Sequence, residues 1–309
     1  MPRIYTIGET VYDIIFKDGK PVKANAGGST LNSSVSLGRL GLDVSFISDM
    51  GDDLLGKEIT DFLKDNGVNT NYIEKYPGQK SAIAIAFLDE MNNASYTFYR
   101  DFPPVRLPNL DVTFAEDDIF LFGSFFALTG EVRQALLKLL NNASEAGCTI
   151  IYDPNFRKSH LHELDQLRPL ILENIRFADI VRGSDEDFQV IFNSYSGEEA
   201  FKAISREGCH NLVYTANRNG VEAYSPGLRL SYDVPQINVI STIGAGDNFN
   251  AGIIWSMIQN HVIKKDFEHV HKKMWDKMIF NGIDFASEVC QSYDNYISHK
   301  FALSKSVLD

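Results

Sequence analysis

A chain of 309 residues, 44% hydrophobic and 23% charged, has the material for a sizeable core, which excludes a disordered chain. Its formal net charge of -12, with no lysine or arginine cluster to offset it, excludes nucleic acid and anionic membrane as partners. Cys148, Cys209 and Cys290 are too far apart in the chain for a disulfide framework or a Cys-x-x-Cys metal site, and the 7 histidines include no His-Glu-x-x-His spacing. The first residues carry no signal-peptide pattern and no segment approaches the roughly 20 apolar residues of a membrane span, so a cytoplasmic protein is expected.

In chain order, Ile4 and Ile7 mark an apolar opening strand, followed by Gly8-Glu9-Thr10-Val11-Tyr12-Asp13. Asp13 is therefore expected just past a strand C-terminus, where open α/β sheets place ligands and a carboxylate can accept two hydroxyl hydrogen bonds. A solvated turn aspartate would look the same. Next come Gly27 and Gly28, which let backbone approach a ligand, and Asn32, which one helical turn on can both donate and accept to a polyol. Residues 10–22 and 81–100 carry strand-like residues without an intervening helix and predict a small antiparallel sheet, with hairpin chemistry in Asp89-Glu90-Met91-Asn92-Asn93-Ala94. Alternation along Tyr96-Thr97-Phe98-Tyr99-Arg100 puts Phe98 and Arg100 on one face, where they can stack on and hydrogen-bond a sugar.

Beyond the first hundred residues the pattern alternates. Strands are predicted over 118–122, 149–152, 180–181 and 211–214, and helices over 132–146, 164–175 and 198–206. This is the α/β class, a doubly wound, mainly parallel sheet sandwiched by helices. No internal repeat or low-complexity linker interrupts it, so one domain over 1–309 is expected, with the small sheet as an excursion at about 10–24 and 71–104.

Ser241-Thr242-Ile243-Gly244-Ala245-Gly246-Asp247 ends in a compact turn, and the helical pattern of Phe249, Ile253, Ile254 and Met257 puts that turn at a helix N-terminus. Unpaired amides and the macrodipole favour phosphate there, and Asp247 sits where an alcohol proton could be taken. A strand-to-helix turn with an N-capping aspartate accounts for the same residues. No G-x-x-x-x-G-K-[ST] sequence occurs, which excludes the P-loop route to a nucleotide.

Thr242, Gly244, Ala245, Gly246, Asp247, Phe249 and Gly252 match the signature D-T-x-G-A-G-D-x-F-x-x-G, and 27–41 is similar to G-G-x-x-x-N-x-A-x-x-L-x-x-L-G with Ser34 for the alanine. With Gly51-Asp52-Asp53-Leu54-Leu55-Gly56 as a further element, the chain resembles the ribokinase-like carbohydrate kinases, the phosphofructokinase-B (PfkB) family, over nearly its whole length and in the family's order. The resemblance implies a ribokinase-like fold and an ATP- and magnesium-dependent sugar kinase of the fructokinase branch. A 2-keto-3-deoxygluconate or ribose kinase, or a sugar-binding protein with impaired catalysis, are the alternatives.

The resemblance assigns roles residue by residue. The amides of Gly244, Ala245 and Gly246 would hold the transferring phosphate and Asp247 would be the base. Asp13, Gly27, Gly28, Asn32, Phe98 and Arg100 would bind sugar, as would Asn155 and Arg157 of Asp153-Pro154-Asn155-Phe156-Arg157, a structural salt bridge being the other reading of Arg157. Ser184 and Asp187 stand at the N-x-x-E element, whose acidic residue helps organise magnesium through its waters; a helix-capping run would read alike. Thr215, Asn217 and Gly220 correspond to the T-x-G-x-x-G nucleotide loop, Asn217 replacing the middle glycine and tolerating positive φ. Thr242, and Asn281 on a helix running to Cys290, complete the nucleotide side. Ser241 replaces the signature's first aspartate, which argues against a monovalent-cation site. The small sheet would be a lid over the sugar and, as in many members, a homodimer clasp.

Overall fold

In a computed structural model, which describes residues 2–88, 94–156 and 158–306, the chain opens with strands β1 (Ile4–Ile7), β2 (Val11–Lys17) and β3 (Lys20–Gly27). Helix α1 (Ser29–Arg39), strand β4 (Val44–Gly51), helix α2 (Leu54–Asp65) and strands β5 (Val68–Asn69), β6 (Ile73–Tyr76), β7 (Ile83–Leu88) and β8 (Ala94–Tyr99) follow. Then β9 (Ile119–Gly123), α3 (Gly130–Ala146), β10 (Thr149–Asp153), α4 (Leu164–Phe177), β11 (Ile180–Ser184), α5 (Asp185–Phe192), α6 (Gly197–Arg206) and β12 (Leu212–Thr215) alternate as expected. A hairpin of β13 (Val221–Ser225) and β14 (Leu228–Tyr232) leads to helices α7 (Ala245–Gln259), α8 (Lys272–Cys290) and α9 (His299–Ser306). The expected hairpin loop at 89–93 and the candidate Arg157 lie outside the described residues.

The large sheet runs β14-β13-β12-β11-β10-β9-β1-β4-β5, with β6 also on β4. Its pairings are parallel except at the β12-β13-β14 edge. The solid apolar runs Ile119-Phe120-Leu121-Phe122 and Thr149-Ile150-Ile151-Tyr152 are buried at every position, which only a sheet covered on both faces allows. Alternation then sorts side chains between two cores. Ile4, Phe46, Leu121 and Ile151 pack with Leu31 of α1, Ile59 of α2, Ile253 of α7 and Trp275 of α8. Tyr5, Ile47, Phe120 and Tyr152 pack with Leu136 of α3, Ile171 of α4, Phe188 of α5 and Ile204 of α6 on the opposite face. Among the described residues, no helix is long and apolar enough to cross a membrane.

The small sheet has the order β3-β2-β7-β8. It consists of two antiparallel hairpins, β2 with β3 and β7 with β8, laid side by side through a parallel pairing of β2 with β7. Two expectations shift here. Asp13 lies within β2, opposite Asn25, rather than in the loop past β1, because the strand-forming run Val11-Tyr12-Asp13-Ile14-Ile15-Phe16 resumes extended chain after only Gly8-Glu9-Thr10 and finds a partner on each side. Ile73–Tyr76, inside the span expected for the small sheet, pairs with β4 of the large one.

Candidate active site

The site is built where α1 and α7 meet. Gly244 caps α7 at φ +79°, a left-handed conformation without penalty for glycine, and a Cβ there would stand 2.6 Å from the Asn295 carbonyl oxygen. Ala245, Gly246 and Asp247 form the first turn that follows, where amides have no intrahelical acceptor. Both helices are buried near this end, α1 over Thr30 to Gly38 and α7 over Asp247 to Ile254, and their small polar side chains join them. Ser29 Oγ donates to Asp247 Oδ1 at 2.7 Å, Asn32 Nδ2 to Oδ2 at 2.8 Å, and Ser33 Oγ to the Asp247 carbonyl at 2.7 Å. The Asp247 carboxylate thus faces α1 instead of capping its own helix, and it is 8% exposed. Beside it, Asn32 Oδ1 is buried and has no hydrogen-bond partner among the described residues, so it can accept from a ligand hydroxyl.

Asp13 of β2 lies against the end of β3 that leads into α1. A Cβ on Gly27 would lie 2.1 Å from Asp13 Oδ2, so glycine there lets the β2 carboxylate lie against the last residue of β3, two positions before Ser29. Burial pushes the Asp13 carboxyl up to about 6. Arg100, just past β8, donates to Glu9 Oε2 at 3.1 Å and stacks 4.8 Å from the ring centroid of Phe98, so the predicted pair does share a face. Burial raises the Glu9 carboxyl, against the pull of Arg100 and Arg106. Behind it lies a pair the sequence reading missed: Arg106 Nε and Nη2 donate to Asp49 Oδ2 and Oδ1 at 2.7 and 2.6 Å, both side chains buried, with the guanidinium 3.7 Å over Phe102. Asn155 takes φ +38° and donates its N–H to Asp153 Oδ1 at 3.1 Å.

On the expected nucleotide side, Ser184 and Asp187 form a capping box at the start of α5. Asp187 Oδ2 accepts from Ser184 N–H and Oγ at 2.7 and 2.6 Å, and Oδ1 accepts from Phe156 N–H at 2.7 Å. With three of about four lone-pair directions in use, this carboxylate fits one water of a metal's shell and not direct ligation. Burial, then the neighbouring Asp153 charge, raises its pKa. Thr215 Oγ1 accepts from Arg182 at 2.9 Å and donates to the Gly183 carbonyl at 3.2 Å. Asn217 does take positive φ, +49°, and Gly220 follows at +100°. Thr242 is exposed and its carbonyl accepts from Ala245 N–H at 3.2 Å, while the Asn281 amide is spent inside α8 on Lys277 and accepts from Lys305. The link between the two sides is Arg182, buried, which pairs with Asp153 Oδ2 at 2.9 Å, while Asn250 of α7 donates to that same oxygen at 2.7 Å. A charge closing each of two neighbouring apolar strand runs, Ile180-Val181-Arg182 and Ile151-Tyr152-Asp153, was the available signal for this pair.

Residues 1–296 match the family described as pfkB family carbohydrate kinase. The chain belongs to this family. Among curated PfkB relatives it is 26% identical over 294 residues to "Probable fructokinase-6, chloroplastic" of Arabidopsis thaliana, covering 88% of this chain and 74% of that one. It is 24% identical to a 2-dehydro-3-deoxygluconokinase of Haemophilus influenzae, with 84% and 88% covered. The aminoimidazole riboside kinase of Salmonella enterica, solved with its riboside and an ATP analog, superposes with TM-score 0.85 at 20% identity over 99% of both chains. The fructokinase of Vibrio cholerae O395, solved with fructose, ADP and calcium, superposes with TM-score 0.84 at 20% identity over 98% of both. The fold is the ribokinase-like α/β fold of these PfkB kinases.

Proposed function

We propose that this PfkB kinase transfers the γ-phosphate of ATP to a primary hydroxyl of a neutral monosaccharide, fructose foremost. The observation that carries the proposal is the Asp247 carboxylate, held by Ser29 and Asn32 of the sugar motif while standing in the first turn of α7 beside the amides of Gly244, Ala245 and Gly246. A sugar hydroxyl that reaches Asn32 Oδ1 stands next to Asp247. Asp247 takes the hydroxyl proton, the oxygen attacks the γ-phosphorus, and the bond to ADP breaks as the new P–O bond forms. The turn amides stabilise charge on the transferring group. Magnesium, bound through the ATP phosphates with Asp187 reaching one of its waters, would neutralise phosphate charge.

The acceptor follows from Arg100. Glu9 already balances its charge, so a neutral ketose suits the pair better than the carboxylate of 2-keto-3-deoxygluconate. Relatives named fructokinase agree, while the Haemophilus relative keeps the acid sugar as the second reading. In this reading residues 1–309 act as one kinase unit. The small sheet closes over the sugar, and its exposed Val22, Phe87 and Tyr99 offer a surface for a second copy. A coupled ADP-release assay over fructose, 2-keto-3-deoxygluconate and ribose tests the proposal, with fructose expected to give the highest kcat/KM. Saturable fructose binding without ATP turnover would replace it with a sugar-binding role.

A further inference from the structure

At the end of α7 opposite Asp247, a second cleft of about 460 Å3 opens between the last turn of α7, the turn that follows it and the start of α8. Ser256, the first residue of α7 to line it, lies about 14 Å of helix beyond Asp247. The charge of the cleft is the reverse of the chain's. Three lysines, Lys265, Lys273 and Lys277, and three histidines face a single carboxylate, Asp266, in a protein of net charge -12. Asp266 is spent locally, accepting from Ile263 N–H at 2.9 Å. Lys265 has an exposed ion pair with Glu116, and Lys277 donates to Asn260 of the cleft wall.

The start of α8 adds to this field. The helix has 19 residues and no acid in its first turn, so its free amides and dipole face the cleft uncompensated. His271 caps it by accepting from Met274 N–H through Nδ1 at 3.2 Å, which in the neutral ring leaves the proton on Nε2 as a further donor. An independent mark of a missing partner is Ser256 of α7, which lines the cleft. It is fully buried, and its Oγ has no hydrogen-bond partner among the described residues. Buried hydroxyls are ordinarily satisfied, and an anion's oxygen would satisfy this one.

We propose that this cleft binds a phosphate-bearing anion, held by Lys273, Lys277 and the N-terminus of α8, at a site separate from the one that carries out phosphoryl transfer. The volume suits a phosphorylated small molecule. Calorimetric titration of the full chain with pyrophosphate, and separately with fructose 6-phosphate, each under saturating ADP and fructose, tests it. One site per chain is expected, retained in Asp247→Asn. Its Kd should rise at least about tenfold in Lys273→Glu, the loss expected for one charge-assisted hydrogen bond. The kinase activity of Lys273→Glu without added anion should match the unmodified protein. Lys273→Ser serves as a second variant if Lys273→Glu folds poorly. Equal tightness of the two probes points to free phosphate as the ligand, and tighter binding of the sugar phosphate to a phosphorylated metabolite. Binding undiminished in both Lys273 variants, or no saturable binding by either probe below about 1 mM, overturns the proposal.

Discussion

Asn32 donates its side-chain amide to Oδ2 of Asp247 at 2.8 Å, across 215 residues of sequence. One carboxylate thereby joins the 27–32 segment at the start of α1 to the 244–246 turn at the start of α7. Asp247→Asn keeps an oxygen for Asn32, and the Ser29 hydroxyl can turn to accept from the new amide, so fold and sugar affinity are expected to survive. Steady-state kinetics should show kcat lower by roughly two to four orders of magnitude. Retention of more than about a tenth of kcat would contradict the role of base.

Asp13, proposed to bind the sugar, also bears on stability. Its folded pKa of about 6 lies above the ordinary 3.8, so the folded protein holds this proton more tightly than the unfolded chain does. The stabilising contribution is complete below about pH 4 and is lost as pH rises through about 6. Asp13→Asn should therefore raise Tm at about pH 7.5, by an amount that shrinks toward about pH 4.5, while the sugar KM rises several-fold. A gain in Tm that grows on acidification would refute the assigned burial.

Arg100→Ala should raise the sugar KM at least several-fold and leave the ATP KM nearly unchanged, since a hydrogen bond from a charged donor is worth roughly 1.5–3 kcal/mol. Glu9→Gln removes the charge that balances Arg100 and should shift the ratio of kcat/KM values from fructose toward 2-keto-3-deoxygluconate. An effect of Arg100→Ala on ATP saturation alone would move β8 out of the sugar site.

The Arg182–Asp153 pair predicts a stability effect. Arg182→Met leaves Asp153 buried without its cation, a loss of about 3–5 kcal/mol readable as a lower urea midpoint. Adding Asp153→Asn should restore part of it, and strictly additive losses would show that the two do not act as a pair.

Ser241 accepts from Ile243 N–H at 3.2 Å and brings no carboxylate to its loop. Kinase rates in potassium and in sodium should therefore be similar. Strong potassium activation that Ser241→Ala abolishes would show that a cation site survives without the acid.

Much of the large sheet is legible in the sequence because buried parallel strands are solid apolar runs, as at Ile119-Phe120-Leu121-Phe122. The reading stops early at Val181, although β11 continues to Ser184, because Arg182 looks like a surface residue until Asp153 is seen beside it. Asp13 is misplaced for a related reason, since its strand is stabilised by β3 and β7, partners that a local reading does not weigh. The glycine turn and Asn32 are legible as chemistry, but that Asn32 reaches Asp247 is a tertiary fact. The pair Arg106–Asp49 carries no local signature, and Arg182–Asp153 only the charge that ends each of two apolar runs, because each half is expensive to bury alone and makes sense only with the other.

The parallel joint in the small sheet also sets an order of assembly. The β2–β3 and β7–β8 hairpins can close locally, but the seam between them pairs Tyr12 with Ile83, and the intervening chain includes α1, β4 and α2. Its loop-closure entropy is repaid only after those elements have docked on the large sheet. The small sheet is thus completed late in folding, and a chain halted before that step would have two separate hairpins, each with an unpaired edge.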